Sequence, residues 1–459
     1  MNTGNAVRMS NNMMDHGEEL KLLNKVFDDL FPICRSITGP GIEQSIDYLQ
    51  RHMPLKLEKV ASGVKVFDWN VPKEWHFKRA RLWGPSGELI CDSEVNNLHV
   101  VNYSEGVDKI LPLEDLEPHL HSIEKLPEAI PYVTSYYNRT WGFCLSHKQR
   151  KTLKEGDYRV LIESSFKDGG VPFAHCTLPG ESEKEVLLTS YLCHPSMANN
   201  ELSGPLTLLG LYQRIKSWPK RRFTYRFLLN PETIGSLCFL HNYSSHLKDK
   251  LTYGLILTCT GGPNNTMRYK ESRTRDNVLN KLVQRLVDKD GSELELIKFT
   301  PVSGSDERQY CSPGFNFPIG QLSRTPYGQY AGYHNSLDDK EFMDVRQVQR
   351  SIDQVERLLK SAEISGKALN LAPYGEPQLG KRGLYPNMNS PENRAKSSDS
   401  KLDGRKQLEA ILSVLSDADG RTDLIDVYDR ISVSPDEITE VIERLEEQNL
   451  LSFAHEELK

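Results

Sequence analysis

Between about residues 158 and 365 the chain alternates short, almost wholly apolar runs with amphipathic stretches, and this limits the fold more than any other feature. YRVLIESSF, EKEVLLTSYLCHP, FTYRFLLNPET and YGLILTCTGG read as strands, several of them apolar nearly throughout. A strand apolar on both faces belongs in a sheet that is covered on both sides. GPLTLLGLYQRIKSW, SLCFLHNYSSHL and NVLNKLVQRLVDK fall between them with helical spacing. Strand and helix in alternation give an α/β layered sheet. Ligands gather at the carboxyl ends of strands in such sheets, and His194, Glu232 and the TCTGG turn fall there.

The flanking segments have other textures. Residues 19–52 read as helical, with Leu20, Leu22, Leu23, Val26, Phe27 and Leu30 on one stripe. Over 62–157 the runs VKVFDWNVP, ARLWGPSGELICD, NNLHVVNYS and IPYVTSYYNRTWGFCLS are short, aromatic and β-branched, and GPSG between two of them signals a hairpin. They form a β-rich domain inserted between 19–61 and 158–365, expected to flank the pocket rather than to catalyse. Residues 366–403, rich in Gly, Pro, Ser and Lys, read as a linker.

Residues 404–459 carry a three-helix pattern. Ser434 to Glu437 read as a capping box with Pro435 at the first helical position, and LLSFAHEEL supplies a wing. This resembles a winged-helix module. Its third helix sets Asp436, Glu437, Glu440, Glu443, Glu446 and Glu447 against Arg444 alone. Phosphates repel such a helix, so nucleic acid is not the expected partner. A protein partner through this module, or a homo-oligomer, is the expected association.

Composition bounds the rest. The net charge of -6 gives no reason to expect nucleic acid as the main partner. The chain has no apolar run long enough to span a bilayer, so no membrane association is expected. The N-terminal residues lack the apolar stretch of a secretory signal. The eight cysteines are scattered without a CxxC pair and read as reduced thiols. A cytoplasmic location is expected.

Four polar stretches punctuate the α/β region: CHPSMANNELSGP, NPETIGS, GSDERQYCSPGF and GYHNSLDD. A hydrolytic zinc centre needs imidazole and carboxylate ligands, one open position and a nearby carboxylate base. His194, Glu201, Glu232, Asp306 and His334 supply those groups. Each also has a plainer reading. Glu201 suits a helix N-terminus, and Asp306-Glu307-Arg308 suits an ion pair that holds a loop. Lys270 and Arg273, in RYKESRTRD, suit either an anionic substrate group or a solvated charged face.

These residues carry a resemblance to the zinc aminopeptidase and glutaminyl-cyclase superfamily. The matching pieces, in order, are His194, Asn200-Glu201-Leu202-Ser203-Gly204, Glu232-Thr233-Ile234-Gly235, Ser305-Asp306 and Tyr333-His334. FDWNVPKEW, NLHVVNYS, IPYVTSYY, WGFC, PETIGS, GSDERQY and GEPQLGKRGLYP are similar to signatures of a narrower group. That group comprises bacterial polysaccharide-biosynthesis proteins with an aminopeptidase-like domain, of the DUF4910/DUF2172 type.

The resemblance implies a zinc-aminopeptidase-like α/β/α sheet with the inserted β-rich domain and the winged-helix tail. It also shows where the chain departs. Asn200 stands where a bridging aspartate is usual, Thr233 where a ligand glutamate is usual, and Thr258 or Cys259 where another aspartate is usual. One zinc rather than two follows. His194 and His334 are its expected ligands, with Glu201 or Asp306 completing the set and Glu232 as the catalytic base. Tyr333, Arg308, Lys270 and Arg273 are the expected substrate-binding residues.

The leading expectation is a zinc-dependent amide or peptide hydrolase, acting on a small peptide-like or N-acyl amino-sugar intermediate of surface-glycan biosynthesis. Two alternatives stand beside it. One is a zinc-dependent acyl transferase or cyclase. The other is a non-catalytic protein that binds the ligand and scaffolds partners.

Overall fold

The apolar runs assemble into one mixed sheet of eight strands. Their order is Lys56–Ala61, Gly170–Leu178, Thr224–Asn230, Glu185–Tyr191, Leu251–Leu257, Ile319–Ser323, Met267–Lys270 and Leu294–Ile297. The computed structural model describes residues 15–290, 294–385, 404–431, 433 and 435–453. Packing divides the chain into two units, Met1–Arg275 with Glu293–Ile352, and Asp276–Ser292 with Asp353–Lys459.

In the first unit the four central strands of the sheet run parallel to one another. Glu185–Tyr191 is buried at every residue, as an apolar strand covered on both faces should be. The helices Ser203–Ser217 and Ile234–Lys250 follow two of these strands. Gly204 lets the first of them press onto the sheet: a Cβ there would lie 2.2 Å from Ser190 Oγ and 2.4 Å from the Leu257 carbonyl oxygen.

The inserted region forms an antiparallel sheet ordered Leu89–Asp92, Glu74–Trp83, Asp157–Lys167 and Val107–Pro112. The GPSG turn joins its first two members, as its hairpin signal implies. The run YRVLIESSF belongs here and not to the main sheet, where its apolar character had placed it. Tyr158, Val160 and Ile162 are buried while Asp157 and Arg159 are exposed, the alternation of a strand with one covered face. The insertion has no separate core. Trp75, Tyr103, Phe143 and Val160 share one apolar cluster with Phe173, Leu187, Leu228 and Ile256.

The expected N-terminal helix is two, His16–Leu30 and Pro40–Gln50. Pro40 starts the second, where its fixed φ and missing N–H cost nothing. Arg35 lies in the break and is fully buried.

The second unit contains the helices Val278–Asp290, Gly404–Asp417 and Pro435–Glu447 and a three-stranded sheet. Arg285 pairs with Asp426 at 2.7 Å and Asp429 at 2.8 Å. The short 3-10 stretch Leu424–Asp429 stands where a middle helix was expected. Lys367–Asn370 is the central strand, flanked by Asp419–Asp423 and Leu451–Phe453. The start of the expected linker is therefore part of the winged-helix sheet. Its polar composition hid a strand that needs only backbone pairing on both edges. Residues 386–403, Ser434 of the expected capping box and 454–459 lie outside the described residues. All eight cysteines are unpaired thiols. Among the described residues no helix is long and apolar enough to cross a membrane.

Candidate metal centre and active site

The site is built at the carboxyl ends of the parallel strands. Glu185–Tyr191 runs on through Leu192 and Cys193 to His194, and the chain then enters a π-helical turn over Ala198–Leu202. That turn brings Glu201 back beneath the strand end. Its Oε2 lies 2.6 Å from His194 Nδ1, and its Oε1 accepts the Cys193 backbone N–H. Arg35 donates to the His194 carbonyl at 3.1 Å and stands 3.9 Å from Glu201 Oε1, with both side chains wholly buried. Asp338 secures the same turn, accepting the backbone N–H groups of Asn199 at 2.7 Å and Asn200 at 2.8 Å. Burial pushes Asp338 up to about 6 against the opposing effect of those bonds.

Glu232 follows the neighbouring strand, Thr224–Asn230. Its Oε1 accepts from Ser305 Oγ at 2.8 Å, and its Oε2 is 3.7 Å from His194 Nε2. Thr233 next to it has φ 63° and ψ -76°, and Ile234 N donates to the Glu232 carbonyl at 2.8 Å. This is a γ-turn of the strained, positive-φ kind. Asp306 holds it: Oδ1 accepts Thr233 N at 2.7 Å and Oδ2 accepts Asn230 Nδ2 at 3.2 Å. Burial first, and then the Glu232 charge, push Asp306 up to about 7.

His334 arrives from a loop, with φ 58°. Its ring centroid is 5.3 Å from that of His194 and 4.0 Å from that of Tyr333, on which it stacks. Burial and the His194 charge push His334 down to about 3, so it is neutral, the form that ligates metals. For His194, burial opposes the charge, but Cys193 and Glu201 outweigh it and raise the imidazole well above its ordinary value.

His194, Glu201, Glu232 and His334 come together. Glu201 and Asp306, each expected as the third ligand, instead have both oxygens occupied by hydrogen bonds. A separation of 2.6 Å is a hydrogen bond; ligands of one tetrahedral zinc, with bonds of roughly 2.0–2.1 Å, stand about 3.3 Å apart. Cys193, 3.4 Å from His194 Nδ1, is no better placed, since burial pushes its thiol up to about 11.

Lys270 is buried against Glu307 at 2.7 Å and bonds the carbonyls of Thr300 and Ser303, so no charge is left for a substrate. Arg273 is exposed and bonds Asn316 at 2.8 Å. Tyr333 stands against His334. Arg308 donates through Nε to the Ser305 carbonyl at 3.1 Å.

The donor set leaves two atoms that a cation would satisfy. Among the polar atoms around the histidines, His334 Nε2 and Asn200 Oδ1 are buried and have no partner. The Asn200 amide nitrogen is fixed on the Tyr191 hydroxyl at 2.9 Å, which turns Oδ1 away from that bond. A buried polar atom without a partner costs about 1–3 kcal/mol, which a cation would offset. The remaining departures from a two-metal pattern supply no second set. Thr258 Oγ1 is 2.6 Å from the Tyr191 hydroxyl, and burial pushes the Cys259 thiol up to about 12.

Four participants were not singled out from the residues alone: Arg35, Asp338, Tyr132 and Tyr136. The two tyrosines come from the inserted region. Tyr132 packs against both histidines, at 5.1 and 5.4 Å, and its hydroxyl is 2.5 Å from that of Tyr136. Tyr132 N also donates to the His334 carbonyl at 2.9 Å. Both tyrosines lie in IPYVTSYY, an aromatic run that is also similar to a signature of the narrower group.

The comparisons agree with this architecture. A domain family of unknown function, DUF4910, matches residues 24–365, and a winged helix-turn-helix family matches 367–453. A Clostridium acetobutylicum protein is 40% identical over 88% of this chain and 89% of its own. It carries the provisional name polysaccharide biosynthesis protein with aminopeptidase-like domain. A crystal structure from the same organism, described provisionally as a peptidase, is 36% identical. It covers 95% of this chain and 98% of its own with a TM-score of 0.83. A zinc aminopeptidase from Bacillus subtilis shares the fold at 12% identity and TM-score 0.54, over 75% of this chain and 94% of its own.

Proposed function

We propose that this chain, which belongs to the DUF4910 family and carries a winged helix-turn-helix tail, is a hydrolase of amide bonds that works with one zinc ion. The observation that carries the reading is the pair of unsatisfied buried donors, His334 Nε2 and Asn200 Oδ1, beside a histidine already oriented from behind by Glu201. A carboxylate on Nδ1 fixes an imidazole for ligation through Nε2 and strengthens it as a ligand. His194 Nε2, His334 Nε2 and Asn200 Oδ1 would hold the ion. Imidazole with one neutral oxygen suits zinc.

When bound, zinc supplies Lewis-acid polarisation of the scissile carbonyl and acidifies a water. The chain's own groups do the rest. Glu232 is held by Ser305 on one oxygen and faces His194 with the other. That geometry suits a base that takes a proton from the attacking water and returns it to the leaving nitrogen. Asp306 fixes the turn that aims it. Tyr132 and Tyr333 pack their rings against the histidines.

The name of the Clostridium acetobutylicum relative supports a substrate from glycan biosynthesis, an N-acyl amino-sugar or peptide-like intermediate. An acyl-transfer variant of the same chemistry, in which a substrate amine replaces water, would use the same residues. The test is metal analysis of protein purified without chelator, followed by an amide screen. About one zinc per chain is expected from three protein donors and an open position. Glu232→Gln should keep the zinc and lose turnover. Protein that binds no zinc, or that hydrolyses amides equally well as Glu232→Gln, would overturn the proposal.

A further inference from the structure

The charges around the two histidines are unevenly satisfied. Three carboxylates are buried with both oxygens occupied. Glu201 takes Cys193 N and His194 Nδ1, Asp306 takes Thr233 N and Asn230 Nδ2, and Asp338 takes Asn199 N and Asn200 N. The fourth, Glu232, is the base. Among the described residues none of these four is left to pair with a substrate ammonium.

Arg308 is the opposite case. Its Nε bond to the Ser305 carbonyl is the only hydrogen bond of its side chain among the described residues, and no carboxylate there lies within 4.0 Å of it. The side chain is neither buried nor fully exposed, and no described residue bonds its terminal nitrogens. Ser305 therefore carries the base on its hydroxyl and the arginine on its carbonyl. Burial pushes the Tyr333 phenol up and the Arg308 charge opposes that, and the Tyr333 ring stacks on His334. A guanidinium presents a planar fork that matches a carboxylate or a phosphate.

We propose that the substrate is an amide with its nitrogen acylated and with an oxyanionic group, carboxylate or phosphate, that the Arg308 fork grips beside the scissile bond. A free α-ammonium, the handle of an aminopeptidase substrate, finds no partner here. The inference rests on the amide-hydrolase reading above and narrows its substrate class. In the reaction the water oxygen bonds to the acyl carbon, the C–N bond breaks, and the nitrogen leaves with the proton passed by Glu232. The products are a carboxylic acid and an amine, and the gripped anion is untouched.

Binding can be read apart from turnover. Zinc-loaded Glu232→Gln protein is titrated in a calorimeter with N-acetyl-alanine, N-acetylglucosamine 1-phosphate and alaninamide. At least one of the two anions binds, and adding Arg308→Gln weakens it by about ten- to a hundred-fold, the loss expected for a charged bidentate pair. The anion that is weakened identifies carboxylate or phosphate as the handle. Zinc content stays the same, and Arg308→Lys recovers only part of the affinity because a point charge replaces the fork. The proposal is overturned if neither anion binds, if Arg308→Gln binds them as well as before, or if alaninamide binds more tightly than both. Hydrolysis by the unmutated protein together with Arg308-independent binding removes this inference and leaves the hydrolase reading standing. Arg308-dependent binding without hydrolysis removes the hydrolase reading, and with it the substrate, and leaves only the anion site.

Discussion

The two imidazoles of the site are held in opposite ways. His194 sits at the end of a buried strand, with Glu201 on its Nδ1, Arg35 on its carbonyl and Cys193 beside it. Its orientation is complete without any ligand. His334 is positioned through its backbone, in the left-handed region, with its carbonyl accepting from Tyr132 and its ring stacked on Tyr333. Its Nε2 has no partner. One histidine is thus fixed by the sheet, and the other is fixed by a loop that only a ligand completes. A bound ion would tie the loop to the sheet.

The largest way to break this contrast is at Glu201. Glu201→Leu leaves Arg35 buried without its counter-charge and strands Cys193 N and His194 Nδ1. Breaking a buried pair from one side costs about 3–5 kcal/mol, and urea denaturation should show a loss of that size. Glu201→Gln keeps a hydrogen-bonding group, costs less, and lowers zinc affinity by about 10–100-fold, as removal of a partner behind a ligand does. A Glu201→Leu protein as stable as the parent would mean that Arg35 is balanced by another group.

Replacing the histidines themselves should separate them in metal-free protein. His194→Ala removes a partner from buried Glu201 and is expected to cost about 1–3 kcal/mol. His334→Ala removes an imidazole whose Nε2 was already unsatisfied, so its cost should be smaller, within about 1 kcal/mol. Both should abolish zinc binding. Zinc at about a thousand times its dissociation constant should stabilise the parent by about 4 kcal/mol and raise its Tm, and should do so in neither variant. Equal destabilisation of the two metal-free variants would sink the contrast.

Much of the fold was legible because its signals are local. Apolar runs such as EVLLTSY can satisfy their burial only inside a covered sheet, and the polar ends of those runs point to His194 and Glu232. What stayed hidden depended on long-range partners. YRVLIESSF looked like a core strand, and only pairing with Glu74–Trp83 reveals its one-sided burial. Lys367–Asn370 looked like linker because its pairing strands lie far along the chain. At the site, a glutamate seven residues after His194 could be a ligand or the residue behind the ligand. That choice rests on a separation of 2.6 Å, which spacing in sequence does not encode. Arg35, far from His194 in sequence, had no signal at all.

The smallest effect tests how the sheet side aims its base. Thr233 is β-branched and sits at φ 63°, a conformation that costs an L-residue about 1–2 kcal/mol and glycine almost nothing. Thr233→Gly removes that strain but adds freedom to the unfolded chain, worth about 0.4–1 kcal/mol in the other direction. The net change should therefore be a gain in stability of at most about 1.6 kcal/mol. The same substitution in an Asp306→Asn background should be more favourable. The amide that replaces the carboxylate in that background sets an NH2 group against Asn230 Nδ2 or Thr233 N, so the turn loses an acceptor and its strain is less well opposed. Residues that share a hydrogen bond are expected to couple by about 0.5 kcal/mol or more in a double-mutant cycle. Additive effects of Thr233→Gly and Asp306→Asn would show that Asp306 does not hold the Glu232 turn, and the aim of the base would have to come from Ser305 alone.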